Sequence, residues 1–233
     1  MNLRATVLSI VLAAAASATP PDSPGTVTRA EAIATAEVYL NFKWTPTPAN
    51  ILHGRDADGI QVDTPDAAYK PGVRFGGWWL PGLINKGMPY KWGGFDTPET
   101  FLAGLSEGMA AGDVCTPEKR RLLDAAVSKH AFGIDCSGFV SRCWNLPQAS
   151  STRTITSLCD PIADFSELKP GDILNADNAH VFLFARWAGA GHSKMIVFTT
   201  GTPPLWGVQT GHLWSQQMKK LGYTAWRYRG MRD

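Results

Sequence analysis

The chain has 233 residues, 44% hydrophobic and 18% charged, which suffices for one domain with a real core and excludes a disordered class. Its 22 basic and 20 acidic residues leave a net charge of +2. With neither a basic stripe nor an acidic tail, nucleic acid is not an expected partner.

Residues 1–18 read as a signal peptide. Arg4 gives a short positive start, Val7 to Ala16 is almost unbroken apolar sequence, and Ala16-Ser17-Ala18 offers a small-x-small cleavage site. The run is short for a bilayer span, and no Cys follows it to carry a lipid. The expected mature chain is secreted or periplasmic, without a membrane span. In such a compartment Cys115, Cys136, Cys143 and Cys159 are able to pair, and spacing alone does not say which.

A Pro-rich linker occupies 19–27. Thr28 then caps a helix, with Glu31 three residues on as in a capping box, and the helix continues to Asn41. The stretch from Trp44 to Asn85 is rich in Pro, Gly and Asp and reads as loops with short strands. Residues 28–85 together form an N-terminal extension expected to pack on a catalytic unit spanning 86–233. Thr97-Pro98-Glu99 and Thr116-Pro117-Glu118 each give an N-cap, a proline at the first helical position and an acid in the first turn. They predict helices at about 98–110 and 117–130.

Next, Gly133 to Gly138 opens a helix running to about Asn145, stopped by Pro147. Strand period follows: Ile173-Leu174 after the Lys169-Pro170-Gly171-Asp172 turn, then His180 to Trp187, Lys194 to Thr200 and Trp226 to Arg229. Helices first and antiparallel strands afterwards make an α+β class.

Cys136 falls where loop changes to helix. Unpaired N–H groups at a helix start favour a thiolate and can hold an oxyanion, so Cys136 is the candidate nucleophile. His180, at the start of the strongest strand, is the candidate base. His53, His130, His192 and His212 show no metal spacing, so neither zinc nor another cofactor is expected. Trp78-Trp79 and Trp92 suit core or loop anchoring first, with a peptide groove as the alternative.

Four segments in order carry a resemblance. Asp135-Cys136-Ser137-Gly138-Phe139 resembles the nucleophile motif of the NlpC-type cell-wall cysteine peptidases. Leu168 to Ile173 resembles that family's turn before the base strand, His180-Val181 resembles its base, and Pro89-Tyr90-Lys91-Trp92-Gly93-Gly94 resembles its Tyr-x-Trp-Gly-Gly segment. Together they lie within about residues 86–200. The resemblance implies a circularly permuted papain-like fold, with the Cys helix packed on an antiparallel sheet. It also implies hydrolysis of amide bonds in peptidoglycan stem peptides or muropeptides through a thioester; the chain is expected to be a monomer.

The resemblance places Tyr90 beside the thiol, with plain packing the alternative, and gives Asp135 and Ser137 a part in binding a substrate amino terminus. Trp92 is a further candidate substrate contact. The third catalytic position matches Thr199, with His192 the alternative.

The helical insertion at about 95–132 is longer than the family's usual spacing. It is expected to wall the cleft and favour small soluble peptides over intact wall, with Cys115 pinned to Cys159 or Cys143. Two other functions stay open: an amidase for a small γ-glutamyl or N-acyl compound, and a degenerate domain that binds wall peptides without cutting.

Overall fold

The computed structural model describes residues 25–70, 76–201 and 205–233. The expected signal peptide and the linker up to residue 24 lie outside the described residues. No helix among those described is long and apolar enough to cross a membrane.

Four capped helices come first. Helix α1 (Arg29–Asn41) opens with the full capping box, Thr28 accepting from the Glu31 N–H and Glu31 reaching back to the Thr28 N–H. Helices α2 (Pro98–Ser106) and α3 (Pro117–Leu122) start at the two Thr-Pro-Glu signals, and both threonines accept the expected first-turn N–H. Helix α4 (Cys136–Cys143) is capped by Asp135, whose Oδ1 accepts from the Gly138 N–H at 2.6 Å.

Helix ends depart from expectation. Helix α2 stops at Ser106, close to Gly108 at φ 77°. Helix α3 breaks at Leu123, φ 53°, and continues as a 3-10 turn over Leu123–Ala126 rather than reaching residue 130. Helix α4, by contrast, ends at Cys143, close to the expected Asn145, which takes φ 54° two residues ahead of Pro147. A left-handed residue ends the helical hydrogen-bond series wherever it falls.

The main sheet is six-stranded and antiparallel, confirming the α+β class, and four two-stranded pairs lie outside it among the described residues, two of them within the expected short strands of 43–86. Its strands are β1 (Cys159–Ile162), β2 (Ile173–Ala176), β3 (His180–Trp187), β4 (Lys194–Thr199), β5 (Gln209–Trp214) and β6 (Thr224–Tyr228), in the spatial order β5-β4-β3-β2-β6-β1. A short helix α5 (Ser215–Lys220) follows β5 and leaves Lys219 and Lys220 exposed.

Strand alternation divides the apolar residues between two cores. Val181 and Leu183 of β3 face α4 and α1, joining Phe139, Val140, Cys143 and Trp144. Phe182 and Phe184 face the other way, toward Phe165, Leu168, Met195 and Met218. Helix α1 packs on α4 through Tyr39 and Phe139, whose rings meet edge-on at 5.9 Å. The N-terminal extension thus shares the main core with the Cys-bearing helix. Trp78 and Trp79 are anchors, gathered with Phe101 around Trp44.

Asp172 explains the Lys169–Asp172 turn. Fully buried, it accepts from the Lys169 N–H, from Arg29 of α1 and from Arg227 of β6. It ties the first helix to the last long strand. Only the loss of both arginines would leave this buried carboxylate uncompensated.

All four cysteines are free, so the expected Cys115 bridge is absent. Cys143 and Cys159 belong to the main core, where the Cys159 thiol donates to the Ile155 carbonyl. Cys115 instead sits against Tyr90 and Arg120.

Candidate active site

Helix α4 packs against β3, which brings Cys136, at the first helical position, near the start of the strand that carries His180. Two glycines permit the approach of the preceding loop. A Cβ at Gly138 would collide with the Gly94 carbonyl, and one at Gly94 would meet Gly133. The Asp135 N–H bonds the same Gly94 carbonyl at 3.1 Å. The Trp92-Gly93-Gly94 segment and the Cys136 motif are therefore two sides of one contact.

Cys136 and His180 line a narrow cavity of about 90 Å³. His180 Nε2 lies 2.8 Å from Thr199 Oγ1, and its ring stands edge-on to Phe182 at 4.5 Å. With Nε2 donating to the threonine, Nδ1 is the nitrogen left to act on the thiol. Thr199 is buried behind the imidazole. His192 does not line this cavity; it packs against Trp187 beside the β3–β4 turn.

The backbone amides of Val181 and Ser137 face the Cys136 sulfur and favour its thiolate. Burial outweighs them. Together with the adjacent Asp135 carboxylate it pushes the thiol up to about 12, so the helix start does not lower the resting value as the sequence suggested. Burial, helped by the Arg120 cation, pushes His180 down to about 3. Burial thus favours the neutral thiol and the neutral imidazole.

Compared with known proteins, the chain matches no family model, no curated protein and no solved structure.

All four expected substrate contacts border the cavity. Tyr90 is buried, its ring against Gly201 and Trp206, and its side chain lies near Cys115. Trp92 donates Nε1 to the Leu123 carbonyl at 3.2 Å and so braces the end of α3. Ser137 donates its hydroxyl to Asp135 Oδ1 at 2.9 Å, beside the Gly138 N–H on the same oxygen. Burial raises the Asp135 carboxyl, against the pull of the Gly138 N–H and Lys91.

The insertion divides. Arg120, Leu123, Asp124 and Val127, from α3 and the turn after it, wall the cavity. No residue of α2 does so, because Phe101 and Leu105 draw that helix into the main core. Arg120 was not singled out by sequence reading. It stands in the run Glu118-Lys119-Arg120-Arg121, which has the composition of a solvated helix face.

Proposed function

We propose that the chain is an exported cysteine hydrolase with a papain-like arrangement, related to the NlpC-type cell-wall peptidases. It cleaves amide bonds in peptidoglycan stem peptides or muropeptides. The observation that carries this reading is Cys136 and His180 lining one cavity, with Thr199 hydrogen-bonded to the far imidazole nitrogen.

Because burial favours the neutral form of both groups, proton transfer accompanies attack. His180 Nδ1 takes the thiol proton as the sulfur adds to the substrate carbonyl. The Cys136 N–H, orphaned at the start of α4, stabilises the oxyanion. The C–N bond then breaks, and the imidazolium protonates the departing amine. Water, deprotonated by the same nitrogen, hydrolyses the thioester to a carboxylic acid and returns the thiol. Thr199 keeps the ring in the tautomer that leaves Nδ1 free.

The test is digestion of purified muropeptides followed by mass spectrometry, with Cys136→Ala as the control. Products from wild type alone support the reading, and products from both proteins overturn it. Binding of the peptides without cleavage moves the chain to the non-catalytic alternative. The cavity's small volume and the α3 wall favour a second reading, an amidase for a small γ-glutamyl or N-acyl compound. Turnover of such compounds with muropeptides untouched selects it.

A further inference from the structure

The turn that presents His180 is held from outside by one side chain. Between the end of β2 at Ala176 and the start of β3 at His180 lie only Asp177, Asn178 and Ala179, and Asn178 is left-handed at φ 50°. Arg120 Nη1 donates to the Asn178 carbonyl and the Ala179 carbonyl, both at 3.2 Å. These are the two residues immediately before His180. The guanidinium lies near Cys115 and 5.9 Å from the Trp92 ring centre.

Arg120 has a firm base. Its neighbour Lys119 is buried, donating to the Asp113 carboxylate and, at 3.1 Å, to the Val114 carbonyl. Three residues on, the Leu123 carbonyl accepts from Trp92. A short helix fixed on both sides of Arg120 transmits its position to the turn.

We infer that Arg120 is a positioning residue: from α3 it clamps the Asn178–Ala179 turn, aims His180 at Cys136, and sets its guanidinium in the cavity they line. The mechanistic half of this inference rests on the proposed cysteine hydrolase reading. The geometric half, a cation joining α3 to the turn before His180, does not.

The sign of the charge effect follows from the arrangement. A fixed cation favours the Cys136 thiolate and opposes the His180 imidazolium. The other groups facing the pair are Tyr90, Asp135 at the head of α4, Asp124 after α3, Arg153 from the loop beyond α4, and Tyr223 before β6. Of these Asp135 opposes the thiolate, so Arg120 is its counterweight.

Two substitutions separate clamp from charge. Arg120→Lys keeps the charge and loses the planar fork; Arg120→Gln loses both. Iodoacetamide labelling of Cys136, followed by peptide mass spectrometry across pH, reads the thiol. NMR titration of His180, assigned with His180→Gln, reads the base.

The expected result is a kcat about tenfold or more lower in both variants with KM little changed, since a misplaced group costs on the order of 10²-fold at about 1 Å. The Cys136 labelling midpoint and the His180 midpoint both move up in Arg120→Gln and stay in Arg120→Lys. A loss of thermal stability with wild-type kcat and midpoints would overturn the inference. If Arg120→Gln does not fold, Arg120→Lys decides through kcat. A wild type inert toward every amide sinks the proposed function instead, and the two midpoints then still decide whether Arg120 biases the pair.

Discussion

Helices α2 and α3 begin with the same three residue types, Thr-Pro-Glu, and end in different worlds. Helix α2 carries Phe101 and Leu105 and turns them into the main core, with Gly104 tight against the Phe132 ring. Helix α3 reads Pro-Glu-Lys-Arg-Arg-Leu, leaves Leu122 about half exposed and reaches the cavity through Arg120. Capping chemistry fixes where a helix starts. The apolar residues that follow decide what it packs on, and their scarcity in α3 leaves that helix free to serve a site.

The contrast is sharpest if damage at the α3 end is read in chemistry and damage at α2 in stability. His180→Ala, removing the group that α3 positions, is expected to lower kcat/KM by on the order of 10²–10⁴-fold while the thermal midpoint stays near wild type. Steady-state assay alongside a melting curve checks both; an active variant would reassign the base.

Phe101→Ala in α2 is expected to do the reverse. Emptying that buried ring position costs about 3–5 kcal/mol in denaturant unfolding. Activity per folded molecule should remain within about twofold, and a chemical defect at full stability would erase the distinction between the helices.

A pH effect on stability comes next. His180 is held near 3 when folded, against 6.5 ordinarily. Between those values the unfolded chain takes up a proton that the folded one refuses. This contribution is therefore complete above pH 6.5 and lost as pH falls toward 3. Urea titrations of wild type and His180→Gln across that window should differ in slope, and parallel curves would place the imidazole in water.

The smallest expected effects are the caps. Thr97→Ala and Thr116→Ala should each cost about 1 kcal/mol. Only Thr116→Ala should also depress kcat, by loosening α3 beneath Arg120. Equal kinetics in the two variants would show that α3 does not transmit its position.

Much of this was legible in the sequence because it is local. The helix starts at Thr28, Thr97, Thr116 and Asp135 are side-chain-to-backbone contacts within four residues. The apolar runs of β3 and β4 announce strands buried on both faces. What escaped is what distant contacts decide. Strands β1 and β5 are the two edges of the sheet, and edges tolerate Pro161 and Gly211, which read as loop. The helix end at Leu123 follows from a backbone conformation no propensity announces, whereas the end near Asn145 fell close to where Pro147 put it. The thiol argument at Cys136 used the helix start and left out burial, which prevails. Thr199 was found through resemblance, and His180 meets it. Arg120 was invisible because a clamp on two carbonyls leaves no mark in composition.

The order of the sheet has a consequence for how the chain reaches its native state. Strand β6, the last of the six in sequence, lies between β2 and β1, and β1 is hydrogen-bonded to the sheet through β6 alone. Asp172 likewise gains Arg227 only when β6 docks, while its other arginine, Arg29, comes from the first helix. Such contacts close loops of 55 and 143 residues, and long loops must lose their entropy before the pairing rewards it. The sheet therefore cannot be completed by a nascent chain that stops short of residue 228. Until then β1 has no strand partner in the sheet and β2 keeps one edge unpaired.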